Sequence, residues 1–179
     1  MIQVSKEVAL KPILLADQGL LMEVSRRIYL PVYRHLWTDN GEFYFEKNYS
    51  ISNLKQELEE AGAVYYFICY KTEIIGILRI VYGRECIDFP GQPATKLHRI
   101  YLDPETHGLG IGQLLMDWTI DQSKAHQSSL LWLEAMDTQK QSLQFYRKNN
   151  FQVSGSFNLE VPNIIDAWKG MHRMFLCLL

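Results

Sequence analysis

Residues 97–115, Leu-His-Arg-Ile-Tyr-Leu-Asp-Pro-Glu-Thr-His-Gly-Leu-Gly-Ile-Gly-Gln-Leu-Leu, leave this chain few ways to fold. An apolar run ends at a proline, and three glycines follow in strict alternation. A helical pattern then starts, with Ile111, Leu114, Leu115 and Trp118 on one face. Glycine reaches positive φ and has no Cβ, so it lets backbone amides close on a ligand. A helix start adds unpaired N–H groups and the positive end of the macrodipole. Strand, glycine turn and helix start together make a seat for phosphate.

The 179 residues, 47% hydrophobic and 21% charged, predict one globular domain over 1–179. A net charge of −2 gives no pull toward nucleic acid or an anionic membrane. No apolar run approaches the roughly 18 residues of a membrane span, and Met1 to Glu7 lacks the layout of a signal peptide. Cys69, Cys86 and Cys177 are far apart and form no C-x-x-C pair, which fits a reducing compartment; the cytoplasm is the expected location. No residue grouping calls for a metal.

Along the chain, Val8 to Leu15 reads as an opening strand and Asp17 to about Tyr29 as a helix capped by Asp17, with Pro31 interrupting or kinking it. Residues 38–49 read as an aromatic-rich loop, and Ser52 to Ala61 as a helix stopped by Gly62. Residues 64–70 and 74–82 are β-branched and aromatic runs that form a hairpin. After a loop over 83–93 come a strand over 95–102 and a helix from Gly108 to about His126. A strand over 130–136, a helix over 138–149 and closing strands over 151–157 and 168–179 complete the order. This predicts an α/β (α+β) fold about a single mixed sheet.

Several tenants suit the glycines. A P-loop needs Lys and Ser or Thr after the last glycine, and Gly112 is followed by Gln113. A dinucleotide fingerprint would use Glu134 as its ribose acid, but the spacing is G-x-G-x-G rather than G-x-G-x-x-G. A turn with no ligand is the bland alternative. The third tenant comes with a likeness. Arg99-Ile-Tyr-Leu-Asp-Pro104, then His107-Gly-Leu-Gly-Ile-Gly112, resembles the acetyl-CoA signature of GNAT-family N-acetyltransferases. Leu131-Trp-Leu-Glu-Ala135 and Leu143-Gln-Phe-Tyr-Arg-Lys-Asn-Asn-Phe151 resemble the next strand, helix and turn of that family. The likeness covers about residues 64–157.

The resemblance implies a mostly antiparallel central sheet flanked by helices, with a splayed strand pair at the CoA site. It implies acceptor-side helices over about 16–62, an acetyl-CoA core over about 64–157 and closing strands over about 151–179. Backbone amides of Ile100, Tyr101 and Leu102 would meet the pantetheine and acyl carbonyl, and residues 108–113 (Gly108, Leu109, Gly110, Ile111, Gly112, Gln113) the pyrophosphate. Three positions depart from the family pattern: His107 stands where Gln or Arg opens the loop, Gln139 where Asn is frequent, and Asn150 where the turn has Gly.

Acyl transfer to an amine needs a proton for the leaving thiolate and a neutral nucleophile. By the resemblance Tyr146 is the general acid, since a phenol is protonated at neutral pH. Glu134 and His98 are candidate bases, because a carboxylate in an apolar strand needs a partner or a task, and histidine titrates in the right range. No cysteine is paired with a histidine, so direct transfer in a ternary complex is expected. Tyr29, Tyr33, Trp37, Phe43, Tyr44, Phe45 and Tyr49, interleaved with Asp39, Glu42 and Glu46, point to a cationic acceptor, a small amine or polyamine. The alternatives are a protein or peptide N-terminus and a non-catalytic acyl-CoA-binding module. The apolar C-terminal run needs burial, in the sheet or in a homodimer.

Overall fold

Alternation in the first half of the hairpin fixes the middle of the molecule. Tyr65 and Phe67 turn to one face and Tyr66 and Ile68 to the other, and all four are buried. A strand apolar on both sides needs cover on both, and the chain supplies it. A computed structural model describes residues 1–178. Its elements are β1 (Ile2–Gln3), β2 (Val8–Pro12), α1 (Gln18–Tyr33), α2 (Glu42–Tyr49), α3 (Ile51–Glu59), β3 (Ala63–Tyr70), β4 (Glu73–Tyr82) and β5 (Ala94–Leu102). There follow α4 (Ile111–Ala125), β6 (Leu130–Met136), α5 (Lys140–Lys148), β7 (Gln152–Asn158) and β8 (Gly170–Cys177).

The strands form one sheet in the order β1-β2-β3-β4-β5-β6-β8-β7. Every pairing is antiparallel except β5 with β6. Leu21, Val24 and Ile28 of α1, Phe45 and Tyr49 of α2 and Leu54 of α3 pack on one face with Tyr65, Phe67 and Ile77. Leu115 and Met116 of α4 and Leu143 of α5 pack on the other with Ile68, Leu78 and Leu131. The single mixed, mostly antiparallel sheet between helical layers is the architecture expected.

Three local readings change. Pro31 does not end α1, which runs on to Tyr33 with the proline ring on its exposed side. Asp17 turns its carboxylate back to the Leu14 N–H (2.9 Å) instead of capping α1. The expected loop over 38–49 holds α2: Gly41 at φ 89° reverses the chain, and the Asp39 carboxylate accepts from the Gly41 (3.0 Å) and Phe43 (2.8 Å) N–H groups. These are donors that a helix start leaves open. The C-terminal run takes one of its two expected places: β8 lies between β6 and β7, with Met174 and Leu178 buried. Leu179, at the end of that expected strand, lies outside the described residues. No helix among the described residues is long and apolar enough to cross a membrane.

Asp39 also accepts from the Asn163 side-chain amide (2.9 Å), tying α2 to the loop before β8. Asp39→Ala is expected to lower stability by about 1 kcal/mol, the usual worth of a helix-start acceptor. A urea titration followed by circular dichroism checks this, and an unchanged midpoint would count against it.

Candidate active site

Two clefts meet where β5 and β6 part. The parallel register holds for Ala94↔Leu130, Thr95↔Leu131 and Lys96↔Trp132 only, although β5 continues to Leu102 and β6 to Met136. A bulge turns β5 away: Arg79 pairs with Arg99 and Ile80 with Leu97, so His98 has no opposite number on β4. Beneath it Arg79, 2% exposed, donates to His98 Nδ1 (2.5 Å), to the Glu57 carbonyl (3.0 Å) and to the Glu60 carboxylate (2.5 Å). At the last paired position Lys96 lies over the Trp132 ring and reaches the Glu134 carboxylate at 2.8 Å.

The larger cleft, about 740 Å³, runs from the parting to the glycines. The Asp103 N–H donates back to Ile75 of β4 (2.7 Å). Successive amides of a strand point to opposite sides, so Tyr101 N–H also faces β4 while Ile100 and Leu102 N–H face the gap. Of the three amides expected here, two face the gap and that of Tyr101 does not. The same test divides the glycine loop. Leu109 N–H bonds to Thr106 O (3.3 Å), whereas the N–H groups of Gly108, Gly110, Ile111, Gly112 and Gln113 have no acceptor among the described residues. Gly108 (φ 84°) and Gly110 (φ 74°) hold the left-handed conformations that aim them. Five free amides at the start of a 15-residue helix suit a pyrophosphate. The cleft thus suits a ligand that carries a diphosphate.

Side chains frame that cleft. Gln113 is locked against Asn149, donating to its Oδ1 (2.6 Å) and accepting from its Nδ2 (3.1 Å), so only its main chain faces the seat. His107 is exposed at the mouth, where the Gln141 amide lies 2.8 Å from Nδ1. Lys148 lines the cleft as well. Asn150 takes the left-handed conformation (φ 64°) that a glycine would supply in the turn after α5.

The second pocket, about 300 Å³, lies between the parted strands and α1–α2. Ile100, Gln139, Ser142 and Tyr146 line both spaces and mark their junction. Burial, and next the neighbouring Tyr101 hydroxyl, push the Tyr146 phenol above its usual range, so it carries its proton at neutral pH. Glu134 lines the smaller pocket between Lys96 and the Arg173 guanidinium (Nε at 3.7 Å). His98 lines it too, but Arg79 has only protons to offer, so Nδ1 accepts and the ring proton sits on Nε2. Burial first, then Arg99, Arg79 and Lys96, lower the His98 pKa from 6.5 to about 2. A neutral ring that accepts at Nδ1 keeps its proton on Nε2 as a donor, which does not favour His98 as the base.

Tyr29, Tyr33, Trp37, Phe43 and Tyr44 line the pocket as the sequence suggested, while Phe45 and Tyr49 are fully buried behind it. The interleaved acids do not face it. Glu42 forms a two-pronged pair with Arg26 (2.7 Å each), Asp39 caps α2, and Glu46 is exposed. The sequence reading missed Lys96, Lys47 and the buried Arg79–Arg99–Glu57 group. Arg79 stands in an otherwise apolar strand, the signal that singled out Glu134 and would have served here.

The model of the acetyltransferase (GNAT) family matches residues 27–151. The fold is similar to that of a PaiA N-acetyltransferase from Thermoplasma acidophilum solved with coenzyme A: 18% identity, 95% of this chain and 98% of that one, TM-score 0.70. It is also similar to a variant of the spermidine N-acetyltransferase SpeG from Vibrio cholerae (13% identity, 97% and 95%, TM-score 0.65). A ribosomal-protein alanine N-acetyltransferase from Escherichia coli resembles it to the same degree (14%, 96% and 94%, TM-score 0.66). Likeness at these identities speaks for the fold alone.

The lowered His98 pKa has a consequence for stability. Below pH 6.5 the unfolded chain takes up a proton at His98 that the folded protein refuses until about pH 2. Stability from this group is therefore complete above its unfolded pKa and is lost as pH falls. Between pH 7.5 and pH 5 it is expected to remove about 2 kcal/mol. His98→Gln, which keeps an acceptor for Arg79, is expected to flatten that part of the pH dependence in denaturant titrations. An equally steep profile in the variant would contradict the assignment.

Proposed function

Because the chain belongs to the GNAT family of acetyltransferases, we propose that it acetylates a small primary amine by direct transfer with both substrates bound at once. Acetyl-CoA, when bound, supplies the activated acyl group. In this reading the amides of Gly108, Gly110, Ile111, Gly112 and Gln113 hold its pyrophosphate. Those of Ile100 and Leu102 hold the pantetheine arm and stabilise negative charge on the acyl oxygen, a large contribution when donors are fixed in advance.

The amine nitrogen forms the new C–N bond as the C–S bond breaks. Tyr146 gives its hydroxyl proton to the departing sulfur and regains one from solvent. Glu134 receives the proton lost by the amine, through water, and Lys96 holds the carboxylate in place. His98 acts as a donor that orients what enters the pocket. The observation that carries the reading is the junction itself: a phosphate seat and an aromatic pocket open onto each other beside a protonated phenol. Cys69 and Cys86 are buried, and no cysteine lines either space among the described residues, which supports transfer without an acyl-enzyme.

Tyr146→Phe is expected to lower kcat by about a hundredfold or more, with CoA affinity unchanged by calorimetry. Full turnover without the hydroxyl would remove Tyr146 as the acid. CoA binding by the wild type with no acetylation across a broad amine panel would favour a non-catalytic binding module.

A further inference from the structure

Resting on the transfer reading above, we propose that the acceptor is a monoamine with an apolar, aromatic-sized body, and that the pocket selects against polyamines by charge. Two cations, Lys47 and Arg99, and a single carboxylate, Glu134, line it, and since Glu57 holds Arg99 (2.7 Å), Lys47 is the cation with no carboxylate partner among the described residues. That carboxylate already faces Lys96 at 2.8 Å and Arg173 at 3.7 Å. Lys47 is exposed at the rim, on α2. A second ammonium on the acceptor would find no open carboxylate in the lining and would meet Lys47, and like charges in one small pocket disfavour binding.

The walls suit the opposite kind of molecule. Tyr33, Tyr29 and Tyr44 stack in sequence with centroids 4.5 Å apart, and Trp37 continues the row 5.2 Å from Tyr44. Leu159, Val161 and Met171, from the β7–β8 end of the sheet, add apolar surface. About 300 Å³ is at the small end for a small-molecule site, room for one compact body.

The same charge serves the chemistry. Lys47 at the rim disfavours the charged form of a bound amine and so raises the share of neutral amine. The amine then loses one proton to water or Glu134 as its nitrogen gains the acetyl carbon. The thiol leaves with the Tyr146 proton.

The test compares 2-phenylethylamine, tryptamine, putrescine, spermidine and a short peptide with a free N-terminus. It reads kcat/KM for each and, separately, calorimetric binding of each to the protein with CoA present. The aromatic monoamines are expected to lead both polyamines by about tenfold or more in both readouts. Equal or better values for spermidine, putrescine or the peptide overturn the proposal. The aromatic preference in binding without any turnover sustains the acceptor class and overturns the transfer reading instead. Lys47→Glu, on an exposed helix face, is expected to narrow the gap to spermidine by about threefold or more, with an unchanged circular dichroism spectrum. An unchanged ratio overturns selection by charge.

Discussion

Three residues of parallel pairing hold β5 to β6, and the chemistry of the molecule begins where that pairing stops. Had the strands stayed zipped, the amides of Ile100 and Leu102 would face β6 as ladder donors, with no gap for a ligand. The bulge at His98 prevents this by turning β5 outward one residue after Leu97. Lys96 then spans the opening to Glu134, so the strands are held apart at a set distance rather than left to fray.

The bulge is supported from below by an unusual charge arrangement. Arg79 and Arg99 lie directly opposite each other on β4 and β5, and both are buried. Glu57 accepts from Arg99 (2.7 Å) and lies 3.8 Å from Arg79 Nε, while Glu60 takes Arg79 (2.5 Å) and Arg84 (3.0 Å). Removing one member of such a group leaves a buried charge unpaired, at a cost of about 3–5 kcal/mol. The arrangement gains less in stability than in geometry. It fixes the end of α3 to the bulge, and the bulge to one tautomer of His98.

Much of this fold is legible in the sequence because its signals are periodic. The β3–β4 hairpin, β5, α4 and β6 announce themselves by alternation or by 3.6-residue spacing, and the glycines between β5 and α4 mark the phosphate seat. What escaped reading depends on partners far along the chain. The eight residues of α2 are too few for a clear period, and their start relies on one carboxylate and a left-handed glycine. The acids around it looked like a cradle for cations because sequence does not say which way a side chain points. Arg26 takes Glu42 to the outside, and Asn163 and the helix start occupy Asp39. Likewise no local pattern pairs Lys96 with Glu134 across 38 residues of chain, or tells which of the amides of residues 100–102 faces the gap.

The position of β8 governs the order in which the molecule can be completed. It follows β7 in the chain, yet it sits between β6 and β7. Until residues 170–177 have been synthesised, β6 has a neighbour for three residues on one side and none on the other, and β7 has no neighbour at all. Contacts between segments so far apart in sequence form late, because the loop must close before they contribute. Arg173 and Met171 reach the acceptor side only with that strand. The residues before 170 carry the phosphate seat, but the far wall of the acceptor pocket waits for β8.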